Sequence, residues 1–237
     1  MRRALAAAAA AALLATPAAA QLRVTKRADL AVPVKLEPGQ GAILVAFRRP
    51  DKMSLGKSGV VGFARYDLAD RDIVYQPKGA KKAGDKTTYW VEIASADKKA
   101  PVEYHLMVVS EGDYVLFGAT PGVKQMLNTF CFGSPAFSVK AGEVVYFGDV
   151  TPYTGARLTD GRKVQAMAYS ADAAAAKAAV AKQGDLAARF KAAELRNQAT
   201  YSCAGMSMMR YVVPGVPELE PEAPKTATPA KAEPETD

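Results

Sequence analysis

Gly112-Asp113-Tyr114-Val115-Leu116-Phe117-Gly118 (GDYVLFG) and Gly142-Glu143-Val144-Val145-Tyr146-Phe147-Gly148 (GEVVYFG) read almost alike. Each runs glycine, acid, four large apolar residues, glycine. Side chains on a strand alternate between faces with period two. Tyr114 and Leu116 then share one face, with Val115 and Phe117 on the other. Val144 and Tyr146 oppose Val145 and Phe147 in the same way. Both faces are apolar, so the pattern predicts two central strands, each covered on both sides. Asp113 and Glu143 fall at the turns, where a carboxylate can accept from nearby backbone N–H groups. An acid/base pair of these two would need a nucleophile or ligand beside it, and the neighbouring sequence supplies none.

The flanking segments follow the same reading. Residues 22–36 alternate weakly, and Pro33 suits an edge or an irregular approach. Residues 42–47, 60–66, 73–75, 87–93, 102–109 and 164–169 are short apolar or β-branched runs bounded by turn residues. After Ser170-Ala171-Asp172, an N-cap signal, AAAAKAAVAK has high helix propensity and ends at Gly184. Asp185 then precedes LAARFKAAELRN, where Leu186 and Phe190 sit four apart as on one helix face. Residues 199–213 return to strand-like composition. Many strands followed by a helical pair predict a mainly β chain: an antiparallel β-sandwich with a small C-terminal helical pair. A partly open barrel is the alternative.

The ends are expected to lie outside the fold. Residues 1–20 carry two arginines, an Ala/Leu run and Ala18-Ala19-Ala20, the layout of a cleaved export signal. The apolar run is short and broken by Pro17, which argues against a membrane anchor. No later stretch resembles a span, so no transmembrane segment is expected after cleavage. The mature chain is expected to be periplasmic or secreted. Residues 217–237 are rich in Pro, Ala and Glu and cannot bury enough apolar surface to order, so they read as a disordered acidic tail. The division is then residues 1–20 signal, 21–169 sandwich, 170–216 helical pair with a closing strand packed on the sandwich, and 217–237 tail.

Charge follows the same boundaries. Residues 21–216 hold 27 basic and 18 acidic residues, whereas the tail holds six acids and two lysines. A basic exported body suits an envelope protein or an anionic envelope polymer as partner. Export makes nucleic acid an unsuitable one. The most concentrated cations are Lys78, Lys81, Lys82 and Lys86, with Lys98 and Lys99 following. Tyr89 and Trp90 could add stacking beside them. Lysines at a hairpin tip also discourage strand pairing without binding anything.

Two cysteines, Cys131 and Cys203, allow one intramolecular disulfide in an oxidising compartment. The pair would draw the C-terminal segment back onto the sheet. Met206, Met208 and Met209 lie just after Cys203, and His105 and Met107 stand together upstream. Thioether sulfur and imidazole suit Cu(I), so a soft-metal protein is one alternative. Methionine is equally an ordinary core filler, and Met208 and Met209, being adjacent, would point to opposite faces of a strand. No cofactor is expected.

Catalytic sets are sparse. His105 is the sole histidine, and no G-x-S-x-G, phosphate-binding loop, dinucleotide fingerprint, H-E-x-x-H or C-x-x-C occurs. A non-enzymatic protein that binds or supports an envelope component is the expected function. An enzyme with a cryptic site is the other alternative.

EGDYVLFG and FSVKAGEVVYFGDV also resemble the turn-and-strand units of uncharacterised bacterial exported β-sandwich proteins, transthyretin-like or like the regulatory domain of carboxypeptidases. The resemblance covers residues 40–152. It implies a sandwich with a binding, scaffold or envelope role and brings no catalytic residues with it.

Overall fold

A computed structural model describes residues 28–48, 59–97, 100–120, 128–157, 163–199, 201–202 and 208–210. Over these residues the chain is mainly β, with two packed sheets and two short helices. The expected signal peptide and acidic tail lie outside the described residues.

The first sheet is built on β1 (Gln40–Arg48), which is buried throughout its interior. It pairs antiparallel with β5 (Val102–Ser110) and parallel with β9 (Val144–Arg157). A parallel neighbour needs a long crossover, and here the crossover contains most of the second sheet. β10 (Lys163–Ser170) continues antiparallel beyond β9. In the second sheet β6 (Gly112–Thr120) is central. It lies between β2 (Val60–Asp67) and the pair β7 (Asn128–Phe132) and β8 (Ser134–Val139). β3 (Asp72–Ile73) and β4 (Trp90–Ala94) pair with the far side of β2.

The two look-alike stretches are therefore one central strand in each sheet. The inter-sheet core takes Tyr114 and Leu116 from β6, and Val145 and Phe147 from β9. The opposite residues face outward. Val144 and Tyr146 pack under the helical segment, while Val115 and Phe117 join a third cluster with Trp90 and Tyr201. The expected face assignments are observed in both stretches.

Both stretches also break their ladder at the same letter. Gly62 pairs with Gly118 and Phe63 with Leu116, so Phe117 is an extra residue. Leu44 pairs with Tyr146 and Val45 with Gly148, so Phe147 is extra. A bulge of this kind shifts the later side chains to the other face. After it, Ala119 and Val150 point into the inter-sheet core, and Asp149 lands on the face of Tyr146.

Several elements differ from expectation. The second helix does not run over residues 186–197. α1 (Ala173–Ala179) is followed by a 3₁₀ turn (Ala181–Gln183), and α2 spans only Asp185–Ala188. Beyond it, β11 (Phe190–Ala192) pairs with β9 at Val144–Tyr146, and β12 (Arg196–Ala199) pairs with β8. β10 occupies that side of β9 from Asp149 onward. The earlier backbone groups of β9 would otherwise lack partners, and satisfying them outweighs local helix propensity. β7 and β8 have no counterpart in the sequence reading, and the run over 73–75 contracts to β3, leaving Tyr75 67% exposed. The segment over residues 28–36 forms only one bridge, Ala28 to Leu106. Asp172 caps α1 as expected, accepting from Ala175 N at 3.0 Å.

Beyond β12 the chain packs back on the second sheet, with Tyr201 N donating to the Cys131 carbonyl at 3.3 Å. β13 (Met208–Arg210) runs parallel to β7. Cys131 is buried, and no free cysteine occurs among the described residues. Cys203 lies outside them.

Candidate functional site

The basic turn forms because Gly79 and Gly84 supply positive φ where the chain reverses. Asp85 closes it. Its backbone N–H donates to the Ala80 carbonyl at 3.0 Å, and its carboxylate accepts from Tyr89 Oη at 2.8 Å. Hydrogen bonds from Thr87 and Tyr89 hold the Asp85 carboxyl below the ordinary range. Lys78, Lys81 and Lys82 are exposed and make no ion pair among the described residues. Lys86 reaches Glu37 at 3.0 Å. Trp90 packs on Phe117, centroids 4.3 Å apart. Lys98 and Lys99 lie outside the described residues.

Glu37 belongs to a cleft, so the Lys86 pair joins the turn to it. The cleft holds about 660 Å³ between residues 33–40 and residues 183–189, with Ala141 and Gly142 between. Gln183, 3% exposed, fixes the first wall. Its Oε1 accepts from Val34 N at 2.8 Å, and its Nε2 donates to the carbonyls of Leu30 and Val32 at 2.8 and 3.2 Å. On the second wall the Arg189 guanidinium lies against Gly142. A Cβ there would come 2.5 Å from Arg189 Nη1, and the φ of +78 at Gly142 itself favours glycine. Arg189 makes no side-chain hydrogen bond or ion pair among the described residues. The nearby Glu143 is taken by Lys191 at 2.8 Å. Burial pushes its carboxyl up, but Lys191 and the Lys140 N–H together hold it below the ordinary value. Asp185 also lines the cleft. The turn is legible in the sequence, whereas the cleft is not, because its walls come from segments some 150 residues apart.

Three polar clusters are buried elsewhere. Ser95, Glu103 and His105 carry the side-chain types of a hydrolytic triad in the wrong order. Ser95 Oγ donates to Glu103 Oε2 at 2.6 Å, and His105 Nε2 stands 3.0 Å from Glu103 Oε1. The carboxylate occupies the middle, whereas a triad requires histidine between the serine and the acid. Burial pushes the Glu103 carboxyl up, but Ser95, the Ala96 N–H and His105 outweigh it and the group sits below its ordinary value. His105 is 1% exposed and packs edge-on against Phe47. Met107 is buried in the inter-sheet core. Met206 lies outside the described residues, as do the side chains of Met208 and Met209. No group of metal-binding His, Cys, Asp or Glu side chains occurs among the described residues.

The second cluster follows from the bulge at Phe147. Tyr146 Oη donates to Asp149 Oδ1, and Arg48 donates from Nε to Asp149 Oδ2 at 2.9 Å. The Asp172 N–H donates to Tyr146 Oη at 3.1 Å. Burial, then the bond to Asp149, raises the Tyr146 phenol well above its ordinary value. The network ties β1 and β9 to the start of α1.

The third is Glu92, 8% exposed on the outer face of the second sheet, opposite Gly62 and beside Trp90. Its Oε2 has no hydrogen-bond partner among the described residues, and burial pushes the carboxyl up, with Trp90 opposing.

No family model, curated protein or solved structure matches the chain. No helix among the described residues is long and apolar enough to cross a membrane.

Proposed function

We propose that this is an exported, non-enzymatic protein that binds an anionic component of the cell envelope. The contact surface is the end of the sandwich where the basic turn meets the cleft. One observation carries the reading. Lys86 joins the turn to the cleft wall through Glu37, which puts Lys78, Lys81 and Lys82 at the same end as Arg189, unpaired among the described residues. Exposed cations without carboxylate partners attract a polyanion at long range, and salt screens that attraction. The expected signal peptide places the chain in the envelope, where such polymers occur, and a Cys131–Cys203 disulfide belongs to the same reading. A thiol assay on denatured, unreduced protein should find no free thiol.

The deciding test is binding of residues 21–237 to immobilised anionic envelope polymer over a salt series. Wild type is expected to elute steeply with salt, and K78E/K81E/K82E to lose most of its retention. Equal retention of both proteins would remove the turn from the contact surface. A hydrolytic activity abolished by one Ser or Asp substitution would refute the non-enzymatic reading.

A further inference from the structure

We propose that the cleft between residues 33–40 and 183–189 holds the anionic head and apolar chain of one monomeric amphiphile, with Arg189 receiving the head. This inference deepens the proposed function, since it uses the same end of the molecule.

The cleft contains one cation and a mainly apolar wall. Its volume of about 660 Å³ lies within the range of small-ligand clefts, about 300–1,000 Å³. The apolar side comes from Pro33, Val34, Leu36, Pro38 and Leu186. Val34, Leu36 and Leu186 pack on the outer cluster of the first sheet, so they line the cleft from a fixed base. The wall is also anchored from below by the buried Gln183 amide. A purely ionic ligand would leave this apolar surface wet. A neutral lipid would leave the guanidinium without its natural partner.

The polar groups discriminate further. Glu37 is already neutralised by Lys86. Arg189 is unpaired among the described residues and seated on Gly142, whose missing side chain leaves room for the planar head. A guanidinium presents parallel N–H groups that match a phosphate or carboxylate bidentately. Asp185 opposes an anion from the same cleft, so it tunes affinity downward.

The probe is decyl phosphate below its micellar concentration, titrated calorimetrically into residues 21–237, with hexyl and octyl phosphate and inorganic phosphate alongside. One ligand per chain is expected. Affinity should rise by about two- to fourfold per added methylene. R189A should weaken decyl phosphate about ten- to a hundredfold, the usual range for loss of a charge-assisted hydrogen-bond pair. R189K, which keeps the charge but not the fork, should fall between. D185N should bind several-fold more tightly. Arg189 is exposed, so these variants are expected to melt with wild type, and R189K keeps the test valid if R189A does not.

Inorganic phosphate binding as tightly as decyl phosphate would overturn the proposal, as would unchanged binding in R189A or several ligands per chain. K78E/K81E/K82E separates the two readings. It should lose polymer retention and keep decyl phosphate. Polymer binding that fails in wild type while decyl phosphate binds would refute the polymer reading alone. The converse would refute the cleft alone.

Discussion

GDYVLFG and GEVVYFG differ in which of their aromatics enters the core. In the second sheet Tyr114 points between the sheets and Phe117 points out. In the first sheet Phe147 points in and Tyr146 points out. The backbone devices are nevertheless shared. Each leading glycine has positive φ and an arginine head against it, Arg65 at Gly112 and Arg189 at Gly142. Each phenylalanine before the trailing glycine is the bulged residue. The local pattern thus sets strand, turn and bulge, while the opposite sheet decides which face is inside. The cleft arises from the same device put to different use. Arg65 is spent on Ser110 Oγ at 3.0 Å, whereas Arg189 has no side-chain partner among the described residues.

The sharpest way to break this comparison is to truncate the two bulged phenylalanines. Phe147 is 1% exposed and makes ring contacts with Phe63, Phe137 and Tyr169. Phe147→Ala is expected to cost about 3–5 kcal/mol, the usual range for a large core cavity. Phe117 lies on the outer face between Trp90 and Tyr201. Phe117→Ala should cost about 1.5–3 kcal/mol, near the transfer value of the side chain alone. Urea denaturation of both variants checks the order. Equal losses would mean that the outer aromatic cluster is as closely packed as the inter-sheet core.

The trailing glycines come next. Gly148 has φ +139 and the Tyr169 ring stands where its Cβ would go. Gly118 does not have positive φ. Gly148→Ala is expected to cost about 2–4 kcal/mol from backbone strain and overpacking together. Gly118→Ala carries no left-handed strain and should cost less. Thermal melts of the two proteins decide it, and Tyr169→Ala should recover part of the Gly148→Ala loss.

These pairs also show what could be read ahead of the structure. The alternation in both stretches was legible because period two is local. The bulges were not, because a Phe-Gly dipeptide is compatible with regular pairing, and the extra residue appears only when Leu44 or Phe63 sets the register. Without the bulge, Asp149 would point into the inter-sheet core and could not meet Tyr146. The basic turn was legible from Gly79, Gly84 and the lysines. The cleft was not, because Arg189 sits in a segment of helical composition. That segment becomes β11 only because β9 has backbone groups to satisfy there. The return of the chain to the second sheet at Tyr201, whose N–H donates to the Cys131 carbonyl, leaves no local mark in the sequence.

A smaller effect separates the two tyrosines. Tyr146→Phe removes a donor from the buried Asp149 and an acceptor from the Asp172 N–H. It should cost about 1–3 kcal/mol, because a buried charged acceptor is left short. In Tyr114→Phe the nearest partner lost is the neutral Ser110 carbonyl, 2.6 Å away, with the Thr88 carbonyl and Ser110 Oγ each at 3.4 Å, and a loss nearer about 1 kcal/mol is expected. Equilibrium unfolding at neutral pH compares them. A smaller loss at Tyr146 would mean that Arg48 alone satisfies Asp149.

The smallest expected effect extends the comparison to the sheets themselves, each of which buries one glutamate. Glu103, in the first sheet, has its pKa held down by its partners. Its folded state favours the ionised form, so its stabilising contribution is present above the unfolded pKa and is lost as pH falls through the folded one. Glu92, in the second sheet, is pushed up by burial. Its folded state favours the proton, so its contribution is complete below the unfolded pKa and is lost as pH rises through the folded one. Urea midpoints measured across the carboxylate range and up to neutrality should therefore respond in opposite senses. Glu103→Gln should flatten the loss toward acid. Glu92→Gln, isosteric and uncharged, should flatten the loss toward neutrality and leave the protein at least as stable as wild type at pH 7. A Glu92→Gln variant less stable than wild type at neutral pH would mean that the carboxylate is ionised and held by a partner. The outer face of the second sheet would then be a polar site rather than an apolar cover.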